Sequence, residues 1–175
     1  MSKVVIITGE PNETSRLYGI LNFVRKVLQE NDIPFKTISV HTLPAEEFIR
    51  AKFDSVQIIQ ANKLVEASSG VIVLTPVYKA AYSGILKTFL DLLPQKSLKE
   101  KVVLPLVIGG SIGHLLAIEY ALNPVLSAIG ATQFVNGVYT VDKQIVRLEQ
   151  HQFTIHEEAQ QRLNEALNSF MNQLK

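Results

Sequence analysis

The chain predicts a single α/β domain, a doubly wound sandwich built on a five-stranded parallel sheet. Three observations carry this. Short apolar runs recur along 175 residues and are separated by segments with helical spacing. The apolar runs are continuous rather than alternating, as in strands covered on both faces. The βαβαβαβαβα order then requires crossover connections, which give a parallel sheet.

Each element has its own signature. Lys3 to Thr8 is an apolar run bounded by Gly9, the first strand. Thr14 to Gln29 places Leu17, Ile20, Leu21, Val24 and Leu28 on one helical face, and Asn31-Asp32 ends it. Phe35 to Val40 is the second strand, Ser55 to Ala67 the second helix and Val71 to Thr75 the third strand. A Pro-containing loop leads into a third helix, Tyr82 to Leu93, stopped by Pro94. Val102 to Ile108 is the fourth strand, closed by Gly109-Gly110. Pro105 inside it removes a ladder donor, so a bulge or local break is expected there. His114 to Ile129 is the fourth helix and Gln133 to Val141, with Gly137 inside, the fifth strand. Asp142 to Thr154 is polar and reads as an irregular surface excursion or part of a subunit contact. The last helix, Glu157 to Leu174, carries Leu163, Ala166, Phe170 and Leu174 on one stripe.

Composition narrows the function. An apolar fraction of 47% suffices for a two-sided core. No stretch reaches the ~20 apolar residues needed to span a bilayer. The opening MSKVVIITG lacks the regions of a signal peptide. The absence of cysteine excludes disulfides and thiol chemistry. The expected compartment is therefore the cytoplasm. A net charge of +1 with interspersed signs gives no electrostatic case for nucleic acid or an anionic membrane. His156-Glu157-Glu158 lacks a second histidine at helical spacing, so no metal site is expected. No Gly-x-Ser-x-Gly elbow is present either.

What remains is the set of loops at the strand ends, where open α/β sheets bind ligands. The first, Gly9-Glu10-Pro11-Asn12-Glu13-Thr14-Ser15-Arg16, leads into a helix N-terminus, a natural anion site. Thr14 and Ser15 offer hydroxyls and Arg16 a fork of donors; equally, Thr14 serves as a plain helix cap. It is neither a Walker loop nor a dinucleotide fingerprint. A phospho-acceptor receiver would need carboxylates where Thr75 and Gly109 stand. The second loop carries Pro76, Val77, Tyr78, Ser83 and Gly84, with Tyr78 and Tyr82 readable as packing aromatics. The third is Gly109-Gly110-Ser111-Ile112-Gly113-His114, whose paired glycines permit close backbone approach. His114 reads as a capping or packing residue.

The run TPVYKAAYSGILKTFLDLLP resembles the flavin-contacting loop of the NADPH-dependent FMN reductases, within the flavodoxin-like superfamily. It is similar to YKASFSGALKTLLDLLP of the FMN reductases that serve alkanesulfonate monooxygenases, the SsuE type. GGSIGHLLAIEYALNPVLSAIGA resembles the same group, which places a tyrosine, here Tyr120, at an inserted helix residue. The resemblance spans most of residues 3 to 140. It implies a flavodoxin-like fold, FMN and NADPH as cofactors, and hydride transfer from NADPH to flavin. Reduced FMN would then pass to a partner flavin-dependent monooxygenase. It also implies a flavin site of Ser15, Arg16, Pro76, Val77, Tyr78, Ser83, Gly109 and Gly110, with a flavin-stacking or transfer role for Tyr120. Pro76, Val77 and Tyr78 would edge the isoalloxazine largely through backbone groups. The family's first loop runs GSPR..SRS; here Glu10, Asn12 and Leu17 depart from it. A carboxylate within ~8 Å of a phosphate is unfavourable unless it turns to solvent, so Glu10 is left out of the site. A quinone or azo-compound reductase that holds FMN tightly, and a flavodoxin-like electron carrier, are the alternatives. Apolar residues on more than one face of the helices near Tyr82 and His114 predict a homodimer or homotetramer. Pro124 cannot donate to the carbonyl of residue 120, which predicts a one-residue π-bulge at Tyr120.

Overall fold

A computed structural model describes residues 3–149 and 152–174. Residues 150 and 151, within the stretch read as irregular, lie outside the described residues, as do Met1, Ser2 and Lys175.

Five parallel positions form the sheet. β1 (Val4–Thr8) pairs with β2 (Phe35–Ser39) on one side and β3 (Gly70–Tyr78) on the other. β3 pairs with β5 (Val102–Gly109), and β5 with β6 (Gln133–Phe134) and β7 (Val138–Val141). The resulting order β2-β1-β3-β5-β6/β7 is the flavodoxin-like 2-1-3-4-5 arrangement. The strand period of two divides the core. Val4, Ile6, Ile72 and Leu74 meet α1 (Leu17–Glu30) and α6 (Glu157–Gln173). Val5, Ile7, Val71 and Val73 meet α3 (Val56–Glu66) and α4 (Gly84–Leu90) on the other face. Each fully buried Leu, Ile or Val here is worth about 1.5–3 kcal/mol.

Several boundaries differ from the sequence expectation. α1 starts at Leu17, not Thr14, and has no side-chain cap. The reason is local: Asn12 Oδ1 accepts the Thr14 amide at 3.0 Å and the Asn12 carbonyl accepts the Ser15 amide, so the chain turns before it coils. A short helix α2 (Ala45–Ile49), unpredicted, begins after Pro44 and packs Phe48 edge-on to Phe89 with ring centroids 6.4 Å apart. The Pro-containing loop is not a loop at first. β3 continues through Pro76 to Tyr78 and folds back on β4 (Ala81–Tyr82), with Lys79 and Ala80 both left-handed at the tip. α4 accordingly starts at Gly84 and ends at Leu90, short of Leu93.

Pro105 does not break its strand: β5 stays in register with β3, and Val73 lies opposite Pro105. The disruption falls on the neighbour. The Val102 amide faces β3, through the Ser69 carbonyl, whereas the Val103 carbonyl accepts Val135 on the other side. Alternation puts the missing Pro105 donor on the Val103 side. There Val103 pairs with Phe134 but Leu106 with Val138, one extra residue on the outer strand, which splits it into β6 and β7.

The polar stretch after β7 also contains regular structure. β8 (Ile145–Arg147) and β9 (Phe153–Ile155) form an antiparallel hairpin against α1. The fourth helix is composite: a 3₁₀ turn at Ile112–His114, a π turn at Ile118–Leu122 and α5 (Asn123–Ala128). The π turn contains Tyr120, as Pro124 predicts.

Candidate functional site at the strand ends

The chain leaves β1 toward β2 in one direction and reaches β3 in the other, so the crevice between β1 and β3 is the sheet's switch point. The first two loops singled out in the sequence meet there, and the third packs against the second on the β5 side. The Gly9 amide donates to the Leu74 carbonyl at 2.9 Å, and Ser83 Oγ donates to the Gly9 carbonyl at 2.7 Å. The Ser83 amide in turn donates to Thr75 Oγ1 at 3.0 Å. A Cβ on Gly9 would come within 2.6 Å of Leu86 Cβ, so only glycine permits this approach. On the other side, a Cβ on Gly109 would lie 3.2 Å from Val77 Cβ and 2.1 Å from the Tyr139 hydroxyl. That hydroxyl donates to the Ser111 carbonyl at 2.7 Å.

These contacts divide the predicted residues into two kinds. Ser83 is fully buried; its hydroxyl serves Gly9 and accepts the Leu86 amide as the α4 cap. Pro76 and Gly109 are buried too. They stand behind the site and set its shape. Val77 and Gly110 line an open cleft of about 510 Å³ together with Lys79, Ala80, Ser111 and His114. Nothing lies within 4 Å of a Cβ position on Gly110, so the floor there is free backbone. No carboxylate lines this cleft, which suits a flat, electron-rich ring system. Lys79, Ala80 and Ser111 lie in the loops singled out but were not among the expected site residues, because only the hairpin turn brings its tip to the cleft beside Gly110. Tyr78 is half-exposed on the same strand, and burial, then the charge of Asp142, raises its pKa. Tyr120 is 79% exposed on the π turn, which packs beside β4; it is outside the cleft.

The first loop holds a surprise at Glu10. Its side chain turns neither to solvent nor to a ligand but is fully buried. It accepts the Thr8 hydroxyl and lies 3.7 Å from His41 Nδ1, on the 3₁₀ turn after β2. Ser15 is half-buried, its hydroxyl accepting the Leu17 amide at 3.3 Å. Arg16 is exposed, with Nε donating to the Ile145 carbonyl at 3.1 Å. Arg147, which the sequence gave no reason to notice, reaches the Thr14 carbonyl from β8. Two guanidiniums therefore flank the start of α1, a position that favours an anion. An open cleft without carboxylates at the strand ends, together with an anion-favouring helix start after the neighbouring strand β1, fits a phosphorylated aromatic cofactor.

Comparison with known proteins bears on the same region. A family model described as "NADPH-dependent FMN reductase" matches residues 2–145. The chain is similar to an "FMN reductase (NADPH)" of Pseudomonas putida, 42% identical over 95% of this chain and 85% of the relative. It is 41% identical to a protein of the same description from Escherichia coli, over 98% of this chain and 90% of the relative. Among solved structures, the apo form of an NADH:FMN oxidoreductase superposes with a TM-score of 0.86 at 31% identity, covering 100% of this chain and 91% of the other.

Proposed function

The chain belongs to the NADPH-dependent FMN reductase family, and from that premise we propose how its strand-end residues serve NAD(P)H-dependent FMN reduction. The protein is an oxidoreductase that uses FMN and NADPH. The flavin supplies the hydride-accepting ring and the nicotinamide the hydride, so the protein's task is placement and exclusion of water.

The observation that supports the assignment of residues is that the second and third loops wall one cleft at the strand ends, while the first loop is fastened to the second through Ser83 and Gly9. Val77, Gly110 and the hairpin tip at Lys79-Ala80 wall the ring, and Tyr78 edges it. Pro76, Ser83 and Gly109 hold those walls in place. Ser15 and Arg16 hold the phosphate. No side chain in the cleft is paired as acid and base, and hydride transfer to flavin needs none. The Glu10 carboxylate is held in the interior against the Thr8 hydroxyl and His41 instead of being presented to a ligand.

The reduced flavin leaves for a partner monooxygenase, of the alkanesulfonate type, in the cytoplasm. The open cleft supports release, and so does a phosphate loop whose Thr14, Ser15 and Leu17 amides are already engaged internally. Among the described residues no helix is long and apolar enough to cross a membrane.

Flavin-stripped protein tests this directly. NADPH oxidation is expected only when FMN is added, with FMN fluorescence quenched on binding. Oxidation without flavin, or no quenching at tens of micromolar FMN (weaker than about −6 kcal/mol), overturns the reading. FMN that stays bound through gel filtration and passes electrons on to a quinone or azo dye would favour a reductase of that kind over a flavin supplier.

A further inference from the structure

We propose that Arg147 is a second phosphate-binding residue, gripping the flavin phosphate with Arg16 across the seam between the first loop and the β8–β9 hairpin. This rests on the reading of Gly9–Arg16 as the phosphate loop.

The loop by itself is a poor anion site. Between Gly9 and Arg16 it carries two carboxylates, Glu10 and Glu13, against one guanidinium. Its backbone donors are also partly spent. The Thr14 amide is held by Asn12 Oδ1, the Ser15 amide by the Asn12 carbonyl and the Leu17 amide by Ser15 Oγ. A phosphate arriving at the start of α1 therefore meets fewer free N–H groups than a bare helix start offers. Charged side chains must make up the difference.

The fold supplies them in two steps. It withdraws Glu10 into the interior, against the Thr8 hydroxyl and His41. It also brings Arg147 onto the loop from a distant part of the chain, with Nη2 donating to the Thr14 carbonyl. The arrangement is reciprocal, because Arg16 Nε donates to the Ile145 carbonyl on the hairpin. Each guanidinium is tethered to the opposite element through one nitrogen, which leaves its other N–H groups to fork onto an oxyanion. Neither forms an ion pair with a carboxylate among the described residues. Both are exposed side chains with one point of restraint, Arg16 at the end of the loop and Arg147 against the Thr14 carbonyl two residues before it. The hairpin is thus a wall of the phosphate site, and Arg147 reads the phosphate that distinguishes FMN from riboflavin.

The test compares FMN and riboflavin binding by fluorescence quenching in the full chain. Arg147→Gln keeps a donor for the Thr14 carbonyl but removes the charge. It is expected to weaken FMN about two- to fivefold, the range for an exposed charge contact, and to leave riboflavin unchanged. Arg147→Lys should recover part of the loss, and the salt dependence of FMN binding should become shallower in Arg147→Gln. Equal losses for both flavins would make Arg147 a hairpin anchor only, and no loss for either would remove it from the site; both overturn the proposal. Arg16→Ala, run alongside, separates the two levels of inference. If it loses FMN selectively while Arg147→Gln does not, the phosphate loop stands and Arg147 falls. If wild-type protein quenches neither flavin, the flavin reading itself fails. Thermal melts by circular dichroism confirm that each variant is folded.

Discussion

Tyr139 controls the shape of the site without lining it. Its hydroxyl occupies the space a side chain on Gly109 would need, and it donates to the Ser111 carbonyl that opens the third loop. Burial, and then the charge of Asp142, raises its pKa above the usual tyrosine value, so the hydroxyl keeps its proton and its role as donor. Removing the hydroxyl in Tyr139→Phe should cost about 1 kcal/mol. A tyrosine whose pKa is higher folded than unfolded adds stability that is fully present below the unfolded value, about pH 10, and is lost as pH rises through the folded value. Urea denaturation followed from neutral to alkaline pH should show that alkaline loss in the wild type and a reduced loss in Tyr139→Phe. Gly109→Ala is the harsher change. Its Cβ would force the tyrosine ring aside, for a cost of roughly 1–3 kcal/mol and weaker flavin binding.

At the scale of elements, two irregular turns frame the cleft. The β3–β4 hairpin puts Lys79 and Ala80 at φ of 51° and 66°. Two-residue hairpins need this left-handed pair to match the strand twist, and glycine suits it best. A non-glycine residue there carries roughly 1–2 kcal/mol of strain. Ala80→Gly should therefore raise the thermal midpoint, by about 1 kcal/mol equivalent, provided the hairpin keeps its form; a lower midpoint would contradict it. The second irregular turn is the π turn at Ile118–Leu122. Pro124 lies at the start of α5 and has no N–H for the Tyr120 carbonyl. The Tyr120 amide still reaches Leu116 at 2.9 Å, so the extra residue is absorbed after it. Because Tyr120 is 79% exposed, Tyr120→Ala should change stability by no more than about 0.5 kcal/mol. Flavin retention and delivery should change clearly if the tyrosine stacks on flavin in the assembled protein. Unchanged affinity and turnover would remove that role.

For the whole molecule, the two faces of the sheet are covered, but apolar side chains remain exposed outside them, among them Ile49, Phe53 and Val56. Ile112, Leu115, Leu116 and Tyr120 stand 45% to 79% exposed along one short stretch of chain. A patch of this kind on a small protein is expected to be an interaction surface, and because the π turn packs beside β4, a second copy covering it would lie next to the proposed cleft. Light scattering at micromolar concentration should give a multiple of the chain mass. Leu115→Glu with Leu116→Glu should shift it toward a monomer while the melt stays cooperative. A monomeric wild type would refute the expectation.

What the sequence determined was everything that follows from local periodicity. Continuous apolar strands announced a sheet buried on both faces, and helical stripes such as Leu17, Ile20, Leu21 and Val24 announced its cover. The glycine-bearing strand ends announced where a ligand is expected. Pro124 announced the π turn, because a missing donor has a consequence four residues back. Tertiary structure decided whatever depends on pairing between distant segments. Pro76 and Pro105 looked like breaks, yet both sit inside continuous strands. A proline disrupts only the side of the ladder its nitrogen faces, and the sequence does not say which side that is. Glu10 looked like a charge in the phosphate loop, until the turn after β2 placed His41 beneath it. Arg147 looked like a residue of an irregular surface stretch. It becomes part of the first loop only because β8 and β9 pair and lean on α1, closing a separation of 133 residues. Such a contact leaves no local pattern, since loop closure grows only slowly more costly with length and the groups it joins carry no shared period.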